Sequence, residues 1–345
     1  MSHNIAFGTN FYGHRDGGWH LLGDTSQEGR TAVEVFTNMP NQYYLEKTPN
    51  YIKIGDKWVA TGDFALVRAE VPSDPQMRVF GHVTDRYNIL QPMEVAEMFD
   101  RAVGEPVETM GMLGKGERLF LTWKLNQFKV LDFDPVDSFA FLAVGYDAKY
   151  GANLFNVFRR VVCENTWAMA VAEAERLDKK AGMGRVWRGK HNSPNMQRDL
   201  EIWMEHLQSQ AERDTEFAQQ QFNKLATTNV SKDEVYNLLF GIYPNPKPLP
   251  VNYPEKLRAE KQERIDVLTS YAERDRELVM ALFGEGYGTG IEGKTLYDAF
   301  NAVTEYEDWG RMEKKDASVS KIMGNRANTK QRAMSLFYEY ATVEG

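Results

Sequence analysis

A single cysteine, Cys163, leaves no partner for an internal disulfide, so the fold has no need of an oxidising compartment. Six histidines occur, none of them paired at helical ligand spacing, and without a second cysteine there is no zinc signature. No apolar run reaches the roughly 20 residues of a membrane-spanning helix. The opening residues Met1-Ser2-His3-Asn4 lack the basic and apolar regions of a signal peptide, which sets an expectation of cytoplasmic location. Excess positive charge is missing too: the formal net charge is −8, which weighs against a general polyanion binder.

What is present is an ordinary globular composition, 42% hydrophobic and 26% charged, over 345 residues. The charge is unevenly placed. Lys179 to Arg198 holds six Lys or Arg and no acid, and Arg311 to Arg332 holds seven basic against two acidic residues. With +6 and +5 in these islands, the remaining residues carry −19. Basic islands on an acidic body suit a localised groove for a polyanion. In the first island Trp187 lies between Arg185 and Arg188, with Lys179 and Lys180 before them and Lys190 after; Arg159-Arg160 comes shortly upstream. Lys and Arg neutralise phosphates, and an aromatic ring gives a base something to stack on. If Arg185 to Arg188 is a strand, Arg185 and Trp187 face one way, Val186 and Arg188 the other.

Periodicity divides the chain into an α+β core over 1–192 and a helical region over 193–345. Short aromatic and β-branched runs at Tyr43–Leu45, Tyr51–Ile54, Trp58–Val59 and Phe64–Val67 read as strands, with turns at Gly55-Asp56 and Gly62-Asp63. Thr31 to Asn38 suits a short helix, and Pro92 opens another whose Val95, Met98, Phe99 and Val103 share a face. Strands at Val107–Leu113 and Arg118–Leu125 flank Gly114-Lys115-Gly116; further strands are expected at Phe139–Tyr146 and Leu154–Phe158, and a helix near Asn165-Thr166. The order is an antiparallel meander with packed helices, not a regular βαβ alternation. Beyond Ser193-Pro194, a helix start, Leu200, Met204, Leu207, Ala211, Ala218, Phe222 and Leu225 repeat at helical steps. That stripe needs a partner, from the same chain or a neighbouring subunit. A helix over Lys232–Phe240, a connector with five prolines over Pro244–Pro254 and a charged helix over Glu255–Phe283 follow.

Two motifs point towards enzymes. Gly288 to Thr295 matches the phosphate-loop pattern G-x-x-x-x-G-K-[ST], which would assign Gly293, Lys294 and Thr295 to a nucleotide with Mg²⁺. The buried strand that must precede such a loop is missing, so a glycine loop ahead of a helix accounts for it better. Asp137 with Asp147 and Lys149 resembles the acid pair and lysine of Mg²⁺-dependent nucleases, but Asp147 and Lys149 fall in a turn. His191, with no thiol or serine beside it, suits a positioning role. No catalytic residue, resident metal or cofactor is expected.

Several segments in order along the chain resemble a family of phage- and plasmid-encoded proteins grouped under a domain of unknown function. They are Trp19–Gly23, Gly81–Pro92, Glu108–Leu113, Arg160–Thr166, Lys190–Asn192, Lys294–Tyr306 and a lysine-rich stretch over Gly324–Lys330. Asn192 departs from the Thr or Ser more usual after the histidine, and Lys294 is an insertion. The resemblance implies a mobile-element origin and expression inside a bacterial host. At the level of element order the chain is also similar to single-strand annealing proteins of the Rad type and to phage recombinases, whose rings hold single-stranded DNA in a basic groove. That similarity implies a non-enzymatic, homo-oligomeric protein that binds and anneals single-stranded DNA in recombination or replication. Arg159, Arg160, Lys179, Lys180, Arg185, Arg188 and Lys190 would meet phosphates, and Trp187 a base. The other readings are a protein–protein interaction or scaffold factor acting on host machinery, and the nucleotide-hydrolysing or nuclease enzyme.

Overall fold

Alternating side chains in the first half and three-to-four-residue apolar steps in the second dictate the two kinds of element in the computed structural model. It describes residues 11–14, 23–40, 42–69, 79–148, 151–160, 166–168, 186–286, 293–311 and 325–344. The fold is mixed α+β, with the sheets in the N-terminal half and long helices in the C-terminal half. The strands are β1 (Phe11–His14), β2 (Asp24–Ser26), β3 (Tyr44–Ile54), β4 (Lys57–Ala69), β5 (Val79–Val83), β6 (Thr109–Leu113), β7 (Arg118–Val130), β8 (Asp134–Gly145), β9 (Ala152–Arg160), β10 (Thr166–Ala168) and β11 (Val186–Gly189). The helices are α1 (Ala32–Asn38), α2 (Pro92–Ala102), α3 (Met196–Thr227), α4 (Lys232–Ile242), α5 (Glu255–Glu285), α6 (Leu296–Glu305) and α7 (Asn325–Glu344). A π-helical turn, Tyr306–Gly310, continues α6.

One sheet has the order β10-β9-β8-β7-β6-β1-β2, with β11 also pairing with β9; the other is β3-β4-β5. β1 and β2 run parallel, whereas β1–β6, β6–β7, β3–β4, β4–β5 and β9–β11 are antiparallel. The chain forms two compact units. The first comprises residues 1–126, 138–157 and 174–213, the second 127–137, 158–173 and 214–345.

In the first unit the helix ends are fixed by side chains. Thr31 and Glu34 form a capping box on α1, and the Asp100 carboxylate accepts from the Ala32 and Val33 amides at 2.7 and 3.0 Å. Pro92 sits in the first turn of α2, where its missing N–H costs nothing. Gln91, just ahead of it, pairs its amide with both backbone groups of Leu45 at 2.9 Å, as a strand neighbour would. Arg68 is fully buried; it donates to the Lys115 carbonyl and lies 4.5 Å above the Tyr43 ring, whose hydroxyl donates to Gly116. Gly116, at φ +99°, allows this turn to meet Tyr43.

Gly55-Asp56 turns between β3 and β4 as expected. Gly62-Asp63 does not turn: both lie inside β4, where the register with β3 shifts in a bulge. A glycine in a strand signals either feature, and the pairing of the flanking residues chooses. The helix expected near Asn165-Thr166 is also corrected, because Thr166–Ala168 is a strand beside β9. Thr and Trp favour an extended backbone once a sheet neighbour is available.

In the second unit α6 is buried along its whole length and packs with α4, α5 and α7 around Phe222, Val279, Phe283, Phe300 and Phe337. Helix α3 starts at Met196, later than Ser193-Pro194 indicates, since Ser193 closes a turn onto the Lys190 carbonyl. All seven residues of its predicted stripe are buried: Leu200, Met204 and Leu207 in the first unit's core, Ala218, Phe222 and Leu225 in the second's, with Ala211 between them in sequence. The partner for this stripe is therefore the chain itself.

Candidate nucleic-acid interface

The segment Gly81–Pro92 supplies the end of β5, a loop over Thr84–Gln91 and the start of α2. On one side the loop is held by β3. Lys47 donates to the carbonyls of Asp85 and Tyr87 at 2.8 and 3.2 Å, and Asn50 bonds the His82 ring at 3.1 Å. On the other side it meets the turn after β11. The Asn88 amide donates to the His191 carbonyl at 2.7 Å, and the Tyr87 and His191 rings stack at 4.6 Å. Two segments that resemble the family, far apart in sequence, thus form one contact.

His191 is 5% exposed and has a carbonyl facing each ring nitrogen: Gly145 at 2.8 Å from Nε2 and Asn88 at 3.3 Å from Nδ1. The shorter contact assigns the proton of the neutral ring to Nε2. Burial pushes the imidazole pKa down, more strongly than the two carbonyls raise it. This is a positioning histidine, as expected. Burial likewise holds the Tyr87 phenol well above its ordinary pKa, with the Asp147 charge adding to the effect.

Around this contact Arg86, Arg188 and Lys190 are exposed. Trp187 is not available: it is 9% exposed and packs in the first unit's core, with its ring over Gly189. Its expected stacking on a base is therefore corrected. Alternation along β11 does hold, with Trp187 inward and Arg188 outward. Arg159 is half-buried on β9 and pairs with Asp137 at 3.4 Å. Arg160 belongs to the same strand, though its side chain lies outside the described residues, as do Lys179, Lys180, Arg185, Cys163 and Lys149.

The sequence missed the aromatic residues that are exposed. The β3–β4 hairpin extends past the end of β5, and from Tyr51 to Gly62 every residue is exposed. Cross-strand pairs Tyr51–Ala60 and Lys53–Trp58 lie on one face; Ile52–Val59 and Ile54–Lys57 lie on the other. Trp58 is 68% exposed and Tyr51 57%. Their signal in the sequence was the absence of alternation, apolar residues on both faces around a Gly-Asp turn. Over the hairpin tip (51–60), the loop (84–90) and the turn (187–192), Lys53, Lys57, Arg86, Arg188 and Lys190 stand against Asp56 and Asp85.

The enzyme motifs are otherwise engaged. Thr295 is the N-cap of α6, and one oxygen of Asp298 accepts from the Lys294 amide, the Thr295 amide and the Thr295 hydroxyl at 2.9–3.0 Å. A carboxylate of the chain thus takes the Lys294 and Thr295 amides and the Thr295 hydroxyl; the described element ahead is α5, and Gly288 to Glu292 lie outside the described residues. Asp137 accepts from Gln127 at 2.8 Å as well as Arg159, and Asp147 accepts from Arg118 at 3.3 Å. Among the described residues no cluster of His, Cys, Asp or Glu is arranged for a metal ion, and no helix is long and apolar enough to cross a membrane.

The second unit carries a buried ionic network at the π-helical turn. Lys330 Nζ lies 2.8 Å from Asp308, Arg311 meets Asp275 at 2.6 Å and both oxygens of Glu307 at 3.2 Å, and Arg326 donates to the Glu307 carbonyl. The Tyr243 hydroxyl donates to Glu307, and that of Tyr306 to Asp275. Burial and the hydrogen bond to Asp275 push the Tyr306 pKa up to about 12. Here too resembling segments meet, Lys294–Tyr306 leading into the turn and Gly324–Lys330 returning to it. Carboxylates and cations from α5, the π-helical turn and α7 are thus joined in one network.

The class this defines is an α+β chain whose family-like segments meet in space in each unit. The chain belongs to the family described as Domain of unknown function (DUF932), whose model matches residues 79–336. Neither a curated protein nor a solved structure matches it.

Proposed function

We propose that the protein binds single-stranded DNA without catalysing a reaction on it, as a homo-oligomer, in recombination or replication of a phage or plasmid inside the host cytoplasm. The observation that carries this reading is the hairpin face on which Tyr51 and Trp58 stand exposed with Lys53 between them. Rings held apart on a rigid ribbon offer stacking platforms, and lysines beside them meet the backbone. Arg86, Arg188 and Lys190 extend the basic surface across the loop at the hairpin's root. Annealing fits such a surface, because stacking and phosphate contacts leave the base edges free to pair.

The test is fluorescence anisotropy of a labelled oligonucleotide titrated at several salt concentrations. Each base stacked on an aromatic ring is worth about 1–3 kcal/mol, so Trp58→Ala is expected to weaken binding roughly 5- to 150-fold. Arg188→Ala/Lys190→Ala should flatten the salt dependence, by about 0.7 in log–log slope per lost phosphate contact. No binding at low salt, or binding indifferent to both changes, would sink the reading.

One observation favours the interaction-factor reading instead. The hairpin's opposite face, Ile52, Ile54 and Val59, is also exposed, and a nucleic acid covers only one face of a ribbon. Partners that survive nuclease treatment in a pull-down, and are lost from Ile52→Asp, would support it.

A further inference from the structure

Helix α5 is 31 residues long, yet from Glu255 to Arg274 none of its side chains is buried; burial begins at Asp275. Leu257, Val267, Leu268, Tyr271 and Leu278 are each 43–53% exposed. With Arg264 they fall on one side of the helix, because 264, 267, 268 and 271 follow the i, i+3, i+4, i+7 pattern, and 257 and 278 lie one heptad beyond each end. An apolar stripe of this length left in water is an interaction surface.

The charges around the stripe say what covers it. From Glu255 to Tyr271 there are four acidic residues (Glu255, Glu260, Glu263, Asp266) and four basic ones (Lys256, Arg258, Lys261, Arg264). A neutral, mixed surface recruits neither a polyanion nor a strongly basic partner, and its best complement is a helix with the same pattern. We propose that α5 pairs with α5 of a second copy of this chain, antiparallel, about a two-fold axis between Val267 and Leu268. That register sets Leu257 against Leu278 and Arg264 against Tyr271, an apolar contact and a cation over an aromatic ring. A parallel pair would place Arg264 against Arg264 inside the seam. The inference rests on the oligomeric part of the proposed function and is independent of its nucleic-acid part.

The experiment is cross-linking of the full-length chain by mild oxidation, in a Cys163→Ser background and without DNA. Leu268→Cys, next to the two-fold axis, is expected to give a covalent dimer. Leu257→Cys alone is expected to give none, since the two sulfurs would stand about 30 Å apart at 1.5 Å per residue. Leu257→Cys/Leu278→Cys should cross-link. A dimer from Leu257→Cys alone would mean parallel pairing and overturn the proposal. So would a monomeric mass by light scattering at tens of micromolar together with no cross-link from Leu268→Cys. Anisotropy on Leu268→Glu separates the two proposals: a variant that loses its dimer and still binds the oligonucleotide leaves the nucleic-acid reading standing.

Discussion

Removing the ammonium of Lys330 tests whether the buried ionic network clamps the second unit. Lys330 is 0% exposed and Asp308 3%, with 2.8 Å between nitrogen and oxygen. Lys330→Met keeps the length of the side chain and removes the ammonium that Asp308 meets at 2.8 Å. Breaking a buried pair from one side costs about 3–5 kcal/mol, because the desolvation of the remaining charge is no longer offset. For a unit of this size each kcal/mol moves the melting temperature by roughly 2–4 °C, so a drop of about 6–20 °C is expected. Asp308→Leu should cost a similar amount. The double variant Lys330→Met/Asp308→Leu removes both charges and should recover most of the loss, since replacing a buried pair by apolar side chains is often neutral. Calorimetry of the four proteins closes the thermodynamic cycle and yields the coupling. A loss below about 1 kcal/mol in Lys330→Met, or a double variant no better than the sum of the singles, would show that solvent screens the pair and that it clamps nothing.

Two further outcomes follow from side chains already described. The lowered pKa of His191 means that acidification protonates the unfolded chain before the native one; the native state then binds fewer protons, and stability falls as pH drops below about 6.5. The slope, at most about 1.4 kcal/mol per pH unit for one proton, should shrink in His191→Gln when urea midpoints at pH 7.5 and 5.5 are compared. Thr295→Ala removes the N-cap of α6 and should cost about 0.5–2 kcal/mol in urea unfolding. If nucleotide affinity appeared in the wild-type protein and vanished in Thr295→Ala, the assignment of this residue to capping alone would be wrong.

The sequence by itself determined the local features. Seven apolar residues at helical steps predicted the buried stripe of α3, Pro92 the start of α2, Gly55-Asp56 a turn, and alternation the outward Arg188. Each rests on a preference that residues close in the chain settle among themselves. Tertiary structure decided what depended on distant partners. It put Trp187 in a core and so removed a ring that looked available between two arginines. It brought Tyr87 onto His191, and gave the Lys294 and Thr295 amides of a phosphate-loop pattern to Asp298, one turn into the helix the loop precedes. It also left Tyr51, Trp58 and the first half of α5 uncovered. Composition cannot separate an aromatic residue that finds a core from one that does not, since the difference lies in whether any other part of the chain reaches it.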